Sequence, residues 1–557
     1  MSNKHITYKD TNYFNSLFCD YIDNSQNIKN LYNNRPTIES FKNQIISKKA
    51  SFKIENRLIL KNILKKQYAN INISKDLKQT IDSIENTNTF TVTTGHQLSL
   101  FTGPLYFLYK IISTINLSEE LNLKYPDFNF IPIYWMASED HDFEEIRSFN
   151  YNNENIIWNS DQKGEVGKFS TSNLKSTLDI FSKHLPKNIN SEKIINLFKD
   201  SYLASNNLSD ATRKLVYEIF KDYSLIILDP NEKELKKIFS SSIINELTNK
   251  LIFNNSKASI KTLKQNNYKV QVNPREINLF YLSNNYRKRI ILTNNGYSTD
   301  DNLYSWTESE IIDEVNIKPE NFSPNVLLRP LYQESILPNL CYIGGGSEIS
   351  YWLELKNCFD SIKLDFPILL NRNSVLLVRK KQFEKLHKIN TKIEDLFLSQ
   401  DKLITKKVKL FANQKFNFND QINVLEQQFD KLRELSKLTD VSFLGAVNAQ
   451  EKKQLKGLKN LEKRLIALFD TVSDHLKSDS DIDKFLDNTV LFEEWEKIIP
   501  EAEYPIFVIA VLNDIRRPSI IKTIIASINQ PKLEEDHKSI ESLRTEKITS
   551  FGDQPFS

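Results

Sequence analysis

The stretch from Thr89 to Arg147 constrains this chain most, because a β-branched run, a polar turn, a long apolar-periodic segment and a second apolar run follow one another there. Phe90 to Thr93 reads as a strand that stops at the turn Thr94-Gly95-His96-Gln97. Pro104 then opens a helix whose Leu105, Leu108, Ile112 and Ile115 share one stripe. Thr102 or Gly103 is placed to cap that helix, and Pro104 suits its first turn because no amide hydrogen is lost there. Phe130 to Trp135 is the next strand, and it runs straight into Ser138-Glu139-Asp140-His141-Asp142. Strand, helix and strand at this spacing imply a parallel pair joined by a right-handed crossover, hence an open α/β sheet. Such sheets bind ligands at the carboxyl ends of their strands, where both polar clusters lie.

Each cluster admits more than one reading. A helix start carries unpaired amide hydrogens and partial positive charge, so Gly95-His96 and Gly103-Pro104 are candidates to receive a phosphate or carboxylate. The plain alternative is that both glycines only make turns, since their spacing matches neither a Walker loop nor a dinucleotide fingerprint. The run Glu139-Asp140-His141-Asp142 can hold a substrate ammonium, bind Mg2+ or furnish a general base, and crowded carboxylates raise one another's pKa. A zinc hydrolase fits less well, because no second histidine, cysteine pair or HExxH helix accompanies the run. A solvated charged loop is the bland alternative.

A second informative stretch begins at Phe322. The chain has only 11 glycines, yet Gly344, Gly345 and Gly346 are consecutive, which marks close backbone approach or positive φ. Ser347 is a natural cap for the helical run Glu348 to Asn357. Arg329 and Glu334 flank this element, and Arg372 follows the strand Phe366 to Leu370. A guanidinium can hold a carboxylate or phosphate bidentately, although either arginine can equally serve a structural ion pair.

Around these stretches, Tyr8 to Lys49 suggests a helical cover and Leu58 to Ile84 a helix carrying Leu60, Leu64 and Tyr68. Tyr151 to Asn207 lacks clear periodicity and reads as an insertion. Leu225 to Leu228 is a short strand, followed by a helix over Glu232 to Lys250. Tyr268 to Val272, Leu279 to Leu282 and Arg289 to Thr293 read as antiparallel strands, with Arg287, Lys288 and Arg289 at a solvated turn. From Val378 the pattern changes to helical seams: Leu386, Ile389, Ile393 and Leu396, then Ile422, Leu425, Phe429 and Leu432, then Leu455 to Leu468. The expected division is a core over residues 1–375 with insertions near 151–225 and 265–320, a helical arm over 376–476, and a tail over 477–557.

Composition excludes several classes. The 74 basic and 71 acidic side chains give a net charge of +3, which offers no electrostatic case for nucleic acid or an acidic membrane surface. No apolar run is long enough to span a bilayer and the first ten residues are polar, so a cytoplasmic protein is expected. Cys19, Cys341 and Cys358 are too few and too scattered for a disulfide framework or zinc site.

The ordered blocks TGHQLSLFTGPLYFLYK, PIYWMASEDHDFEEI and FSPNVLLRPLYQESILPNLCYIGGGSEISYWLELK resemble the bacillithiol biosynthesis cysteine-adding enzyme family, also described as cysteine ligases. The resemblance runs from the amino terminus to near His475, and the family's Leu-Phe-Pro-Asn-Gly tail is missing beyond Leu491-Phe492-Glu493. It implies a Rossmann-like, nucleotidyltransferase-like core, a lid formed by the small insertion that carries Arg287, and a coiled-coil arm that makes a homodimer. It implies ATP-dependent attachment of cysteine to glucosaminyl-malate, with ATP as co-substrate and Mg2+ a candidate ion. Of the catalytic candidates His96, Asp140, His141 and Asp142, it has His96 stabilise transferring phosphates and Asp140 or Asp142 hold or deprotonate the amine. The remaining contacts would come from Thr94, Gly95, Gln97, Gly103, Glu139, Arg329, Glu334, Gly344 to Gly346, Ser347 and Arg372. The competing readings are a metal-assisted hydrolase built on Glu139 to Asp142, a transfer-RNA ligase, and a non-catalytic coiled-coil scaffold.

Overall fold

The computed structural model describes residues 6–151, 154–376, scattered positions between 378 and 406, 418–439 and 441–475. The chain divides into two compact units, one containing Phe14–Leu376 and the other combining Ile6–Tyr13 with the segment from Leu377. The strands of the first unit, in chain order, are β1 (Thr89–His96), β2 (Asn129–Met136), β3 (Ser148–Tyr151), β4 (Glu154–Ile157), β5 (Ile226–Leu228), β6 (Leu279–Ser283), β7 (Tyr286–Thr293), β8 (Gly296–Thr299), β9 (Ser305–Trp306), β10 (Phe322–Pro324), β11 (Asn339–Gly344) and β12 (Ile368–Asn371).

Five of them form a parallel sheet in the order β12-β11-β1-β2-β5. The chain therefore builds outward from β1 on one side, then returns to β1 and builds outward on the other. The strand order reverses between β1 and β11, and the carboxyl ends of those two strands open the crevice that Rossmann-like sheets use for ligands. Helix α1 (Leu105–Lys124) makes the β1-to-β2 crossover. Its Leu117 and Leu121 join Phe90, Val92, Phe130, Ile343 and Ile368 in the core, which Phe41 and Ile45 of the helix Ser40–Ser51 complete. Alternate residues of β1 are polar and buried: the Thr91 and Thr93 hydroxyls donate to Asn339 Oδ1 at 3.2 and 2.8 Å.

Local signals were overruled in several places. β1 continues through Thr94, Gly95 and His96, because it is paired with β11 as far as Thr94 and with β2 as far as His96. The turn begins only at Gln97. Phe101, Thr102 and Gly103 all take positive φ, and Pro104 itself is the N-cap of α1, so neither Thr102 nor Gly103 caps the helix. The expected helix over Leu58 to Ile84 is two helices, Ile54–Gln67 and Lys75–Ser83. The insertion after Tyr151 is helical, and its Phe181, Phe198 and Tyr202 enclose the Phe101 ring.

Tyr268 to Val272 is not a strand; the Gln271 and Val272 amides donate instead to the Glu354 carboxylate at 2.6 and 3.3 Å. The second sheet is antiparallel, ordered β10-β6-β7-β8-β9, and Arg287, Lys288 and Arg289 lie within β7 rather than at its turn. In the second unit, helices Asn419–Thr439 and Leu444–His475 pack together, burying Phe429 and Val447. Leu432 of the expected seam is exposed, and Ser436 takes its place inside. Ile393–Phe397 is a 3-10 turn rather than part of a long helix, and the expectations for Ile389 and for residues 477–557 lie outside the described residues.

Candidate active site at the strand-order reversal

The β1 side of the crevice is organised by a lysine on α1. Lys110 is nearly buried; its ammonium donates to the Gly95 carbonyl at 2.8 Å and pairs with Glu348 Oε2 at 2.5 Å. Glu348 also accepts the Gly345 amide at 2.8 Å and the Tyr342 hydroxyl at 2.6 Å. Burial alone would raise the Glu348 pKa, but Lys110 and these donors hold it at about 2. The carboxylate thus caps helix α2 (Gly346–Leu353) from inside its first turn, where Ser347 also lies, so Ser347 is not the cap. The glycine run reflects crowding rather than positive φ: a Cβ on Gly346 would meet the Phe14 ring at 2.8 Å, and one on Gly344 would meet Glu348 Cβ at 3.0 Å.

Two guanidiniums stand beside this network. Arg329 donates to Tyr351 at 3.2 Å and to Gln333 at 3.0 Å, and lies within 3.8 Å of where a Cβ on Gly95 would be. Arg372 follows β12, stacks over the Tyr106 ring at 4.7 Å and donates to the Asn373 carbonyl. Lys110, Arg329 and Arg372 against the single carboxylate of Glu348 leave this side net positive, suited to a phosphate or carboxylate. Thr94 turns its hydroxyl into the sheet, onto the Ile343 carbonyl at 2.7 Å.

His96 sits among Tyr106 and Phe107, and its Nδ1 lies 2.9 Å from the Gln97 carbonyl. A carbonyl only accepts, so Nδ1 carries the proton and Nε2 is left as an acceptor. Burial, with Lys110 next, lowers its pKa to about 3, so the ring is neutral. The expected role of donating to transferring phosphates does not fit this tautomer; the arginines and Lys110 are the donors here.

On the β2 side, Gln97 bridges the two clusters by donating to Asp140 Oδ2 at 2.9 Å. Asp140 Oδ1 accepts the His141 amide at 2.7 Å and faces Arg287 Nη1 at 3.8 Å. Burial would raise the Asp140 pKa, but the His141 amide, Gln97 and Arg287 together press it well below the usual range. The expectation that crowded carboxylates raise one another is therefore corrected: these carboxylates diverge. Glu139 turns inward to pair with the buried Lys236 and accepts Ser323 Oγ at 3.0 Å, whereas Asp142 caps the short helix Phe143–Ile146. Among the described residues no group of three or more His, Cys, Asp or Glu is arranged to hold a metal ion.

Arg287 is the residue that sequence reading passed over as solvated. Its side chain is only 7% exposed, it stacks on Phe280 at 3.9 Å, and Nη1 lies 2.6 Å from His141 Nδ1. Guanidinium only donates, so Nδ1 of His141 accepts and its proton resides on Nε2. Lys110 and Glu348 were missed too, although a lone lysine within the apolar run LYFLYKIIST was a legible signal. Of the expected residues, Gly95, His96, Gln97, Asp140, His141, Arg329, Gly345 and Arg372 contribute to these two networks. Glu334 does not: it is fully buried beside Lys48 and accepts from Asn339, at the amino end of β11. Gly103 packs against Ser99 in the β1-to-α1 connection.

A family model described as the N-terminal Rossmann-like domain of bacillithiol biosynthesis BshC matches residues 1–373. The chain belongs to the BshC family. The C-terminal coiled-coil domain of the same family matches residues 375–468. A Flavobacterium johnsoniae protein named "Putative cysteine ligase BshC" is 50% identical over 464 residues, covering 83% of this chain and 87% of that protein. The Flavobacterium psychrophilum protein of that name is 51% identical over 463 residues, with the same coverage. The Cytophaga hutchinsonii relative is 34% identical over 495 residues, covering 88% and 92%. Family membership thus joins a Rossmann-like core and a coiled-coil domain, the two fold classes read from the sequence.

Proposed function

We propose that this BshC-family chain is an ATP-dependent ligase that joins the carboxyl group of cysteine to the amino group of glucosaminyl-malate, giving bacillithiol. The observation that carries the reading is the meeting, at one strand-end crevice, of a cationic side (Lys110, Arg329, Arg372) with an ionised Asp140 held by Gln97. The relatives' printed name supplies the cysteine ligation.

A carboxylate and an ammonium do not condense unaided, so the carboxyl must be activated. In this reading the cysteine carboxylate attacks ATP at the α-phosphate, releasing pyrophosphate, or at the γ-phosphate, releasing ADP. The amine, having passed a proton to solvent water, then attacks the acyl carbon and expels AMP or phosphate. Arg329, Arg372 and Lys110 would bear the phosphates and the anionic leaving group. Asp140, strongly acidic in this setting, serves as an ammonium anchor rather than as the base. His96 Nε2 offers an acceptor to a hydroxyl or ammonium of either substrate.

Purified protein supplied with cysteine, glucosaminyl-malate and ATP should form the amide with stoichiometric AMP or ADP. AMP would mark an adenylate and the nucleotidyltransferase-like chemistry, whereas ADP would mark an acyl phosphate. Amide formation that proceeds without nucleotide turnover, or no amide at all, would overturn the reading. The metal-assisted hydrolase is disfavoured by the divergence of Glu139, Asp140 and Asp142 described above.

A further inference from the structure

The first unit holds a cavity of about 340 Å³ between the β6–β7 hairpin and the segment that braces the Asp140 loop. Its walls include Glu165, Asn231, Lys233, Leu282, Glu320 and Asn321. A water occupies roughly 30 Å³ of liquid, so the space holds about ten waters and falls in the range of small-ligand sites.

The lining is polar but its charges balance. Glu165 is buried and takes Lys168 Nζ at 2.6 Å together with the Asn231 amide. Lys233 donates to the Ile317 carbonyl at 2.8 Å and faces Glu320 Oε1 at 3.5 Å. The Glu320 side chain is 34% exposed, and since Oε2 is sealed from solvent, Oε1 is the oxygen open to the cavity. A carboxylate oxygen held only by a 3.5 Å ion pair keeps accepting capacity, so Oε1 is where a ligand's donor fits.

We propose that this cavity is a sugar subsite, taking a polyhydroxyl ring with one ring hydroxyl donated to Glu320 Oε1. Each sugar hydroxyl is donor and acceptor at once, which suits a wall of alternating ammonium, amide and carboxylate groups with no net charge. Leu282 supplies an apolar surface for a ring face. A phosphate or carboxylate is poorly served beside Glu165 and Glu320, and the crevice with its three cations is the better place for one. The segment behind Glu165 donates from the Val166 amide to the Asp140 carbonyl at 2.8 Å and from Gly167 to Ser138 at 2.9 Å. A ring seated here is therefore braced against the loop that presents Asp140. The inference rests on the proposed ligation only in naming glucosaminyl-malate as the molecule whose sugar enters.

The test uses the full chain and methyl glucoside, which has the ring without the amine or malate, followed by saturation-transfer NMR. Binding should weaken about tenfold in Glu320→Ala, the loss expected for one hydrogen bond to a charged group. It should be blocked in Asn284→Trp, which fills the cavity from the exposed hairpin turn; unchanged melting would show that both variants fold. Absence of binding to the unmodified chain, or equal binding to both variants, overturns the subsite. Amide formation from cysteine and glucosaminyl-malate is read separately. Turnover without methyl glucoside binding sinks only the subsite, and binding lost in the variants without turnover sinks only the ligation.

Discussion

Lys110 is caught between a carbonyl and a carboxylate inside the core, so its removal is the sharpest single test of the crevice. Lys110→Met should cost about 3–5 kcal/mol in urea unfolding, because Glu348 is left without its counter-charge, and Lys110→Met with Glu348→Gln should recover much of that loss. A single variant as stable as the parent would remove Lys110 from this role. Arg287 makes a different prediction. In the intact chain the His141 proton sits on Nε2; in Arg287→Ala the same Nδ1 has only Asp140 Oδ1 at 3.4 Å, so the proton should move to Nδ1. Nitrogen-15 shifts of the imidazole report the tautomer directly, and an unmoved proton would contradict the assignment. Acid titration separates two glutamates. Glu348, held at about 2 against an ordinary 4.5, contributes stability above pH 4.5 that is lost as pH falls toward 2. Glu334 has the opposite sign: burial pushes it up to about 7, outweighing Lys48, so its contribution is full below pH 4.5 and lost as pH rises through 7. Glu334→Gln should therefore flatten the decline in stability between pH 4.5 and 7.

At the scale of elements, the helical hairpin leaves apolar surface unused. Leu435 and Leu438 are 57% and 83% exposed, while Phe429 and Val447 fill the seam between the two helices. Arg433 adds a bridge across the hairpin to Glu451 and pairs with Asp430 along its own helix. Pairing of this arm with a second copy of the chain is the assembly we propose, since exposed leucines along one helix are what a coiled-coil partner covers. Light scattering should report a dimer for the intact chain and a monomer for Leu435→Asp combined with Leu438→Asp. A monomeric parent would remove the proposal regardless of the variant. The 3-10 turn at Ile393–Phe397 shows why the earlier seam misled: spacings of three and four also fit a short turn whose Leu396 is buried.

For the whole molecule, cells that lose this chain should lose bacillithiol and accumulate glucosaminyl-malate, as thiol profiling would show; unchanged thiols would sink the pathway assignment. No helix among the described residues is long and apolar enough to cross a membrane. What the sequence by itself determined was local and periodic: the β1-α1-β2 unit, the strand at Ile226–Leu228, the helix Lys233–Asn249 and the helical pair from Asn419 onward. Those follow from hydrophobic spacing, which a residue carries with it. The sequence also placed Gly95, His96, Asp140 and Arg372 near strand ends, because a strand's polar exit is visible in the order of residues. The tertiary structure alone decided which exits meet. Pairing with β2 drew His96 into the strand, while placing β11 beside β1 brought Glu348 to Lys110 and set the reversal of strand order at the crevice. Folding the antiparallel sheet against the Asp140 loop buried Arg287, which its basic neighbours Lys288 and Arg289 made look like solvated surface. Charge and polarity along a chain report what a residue can do, but burial and partner come from elements far away in sequence, and these fix protonation, tautomer and role.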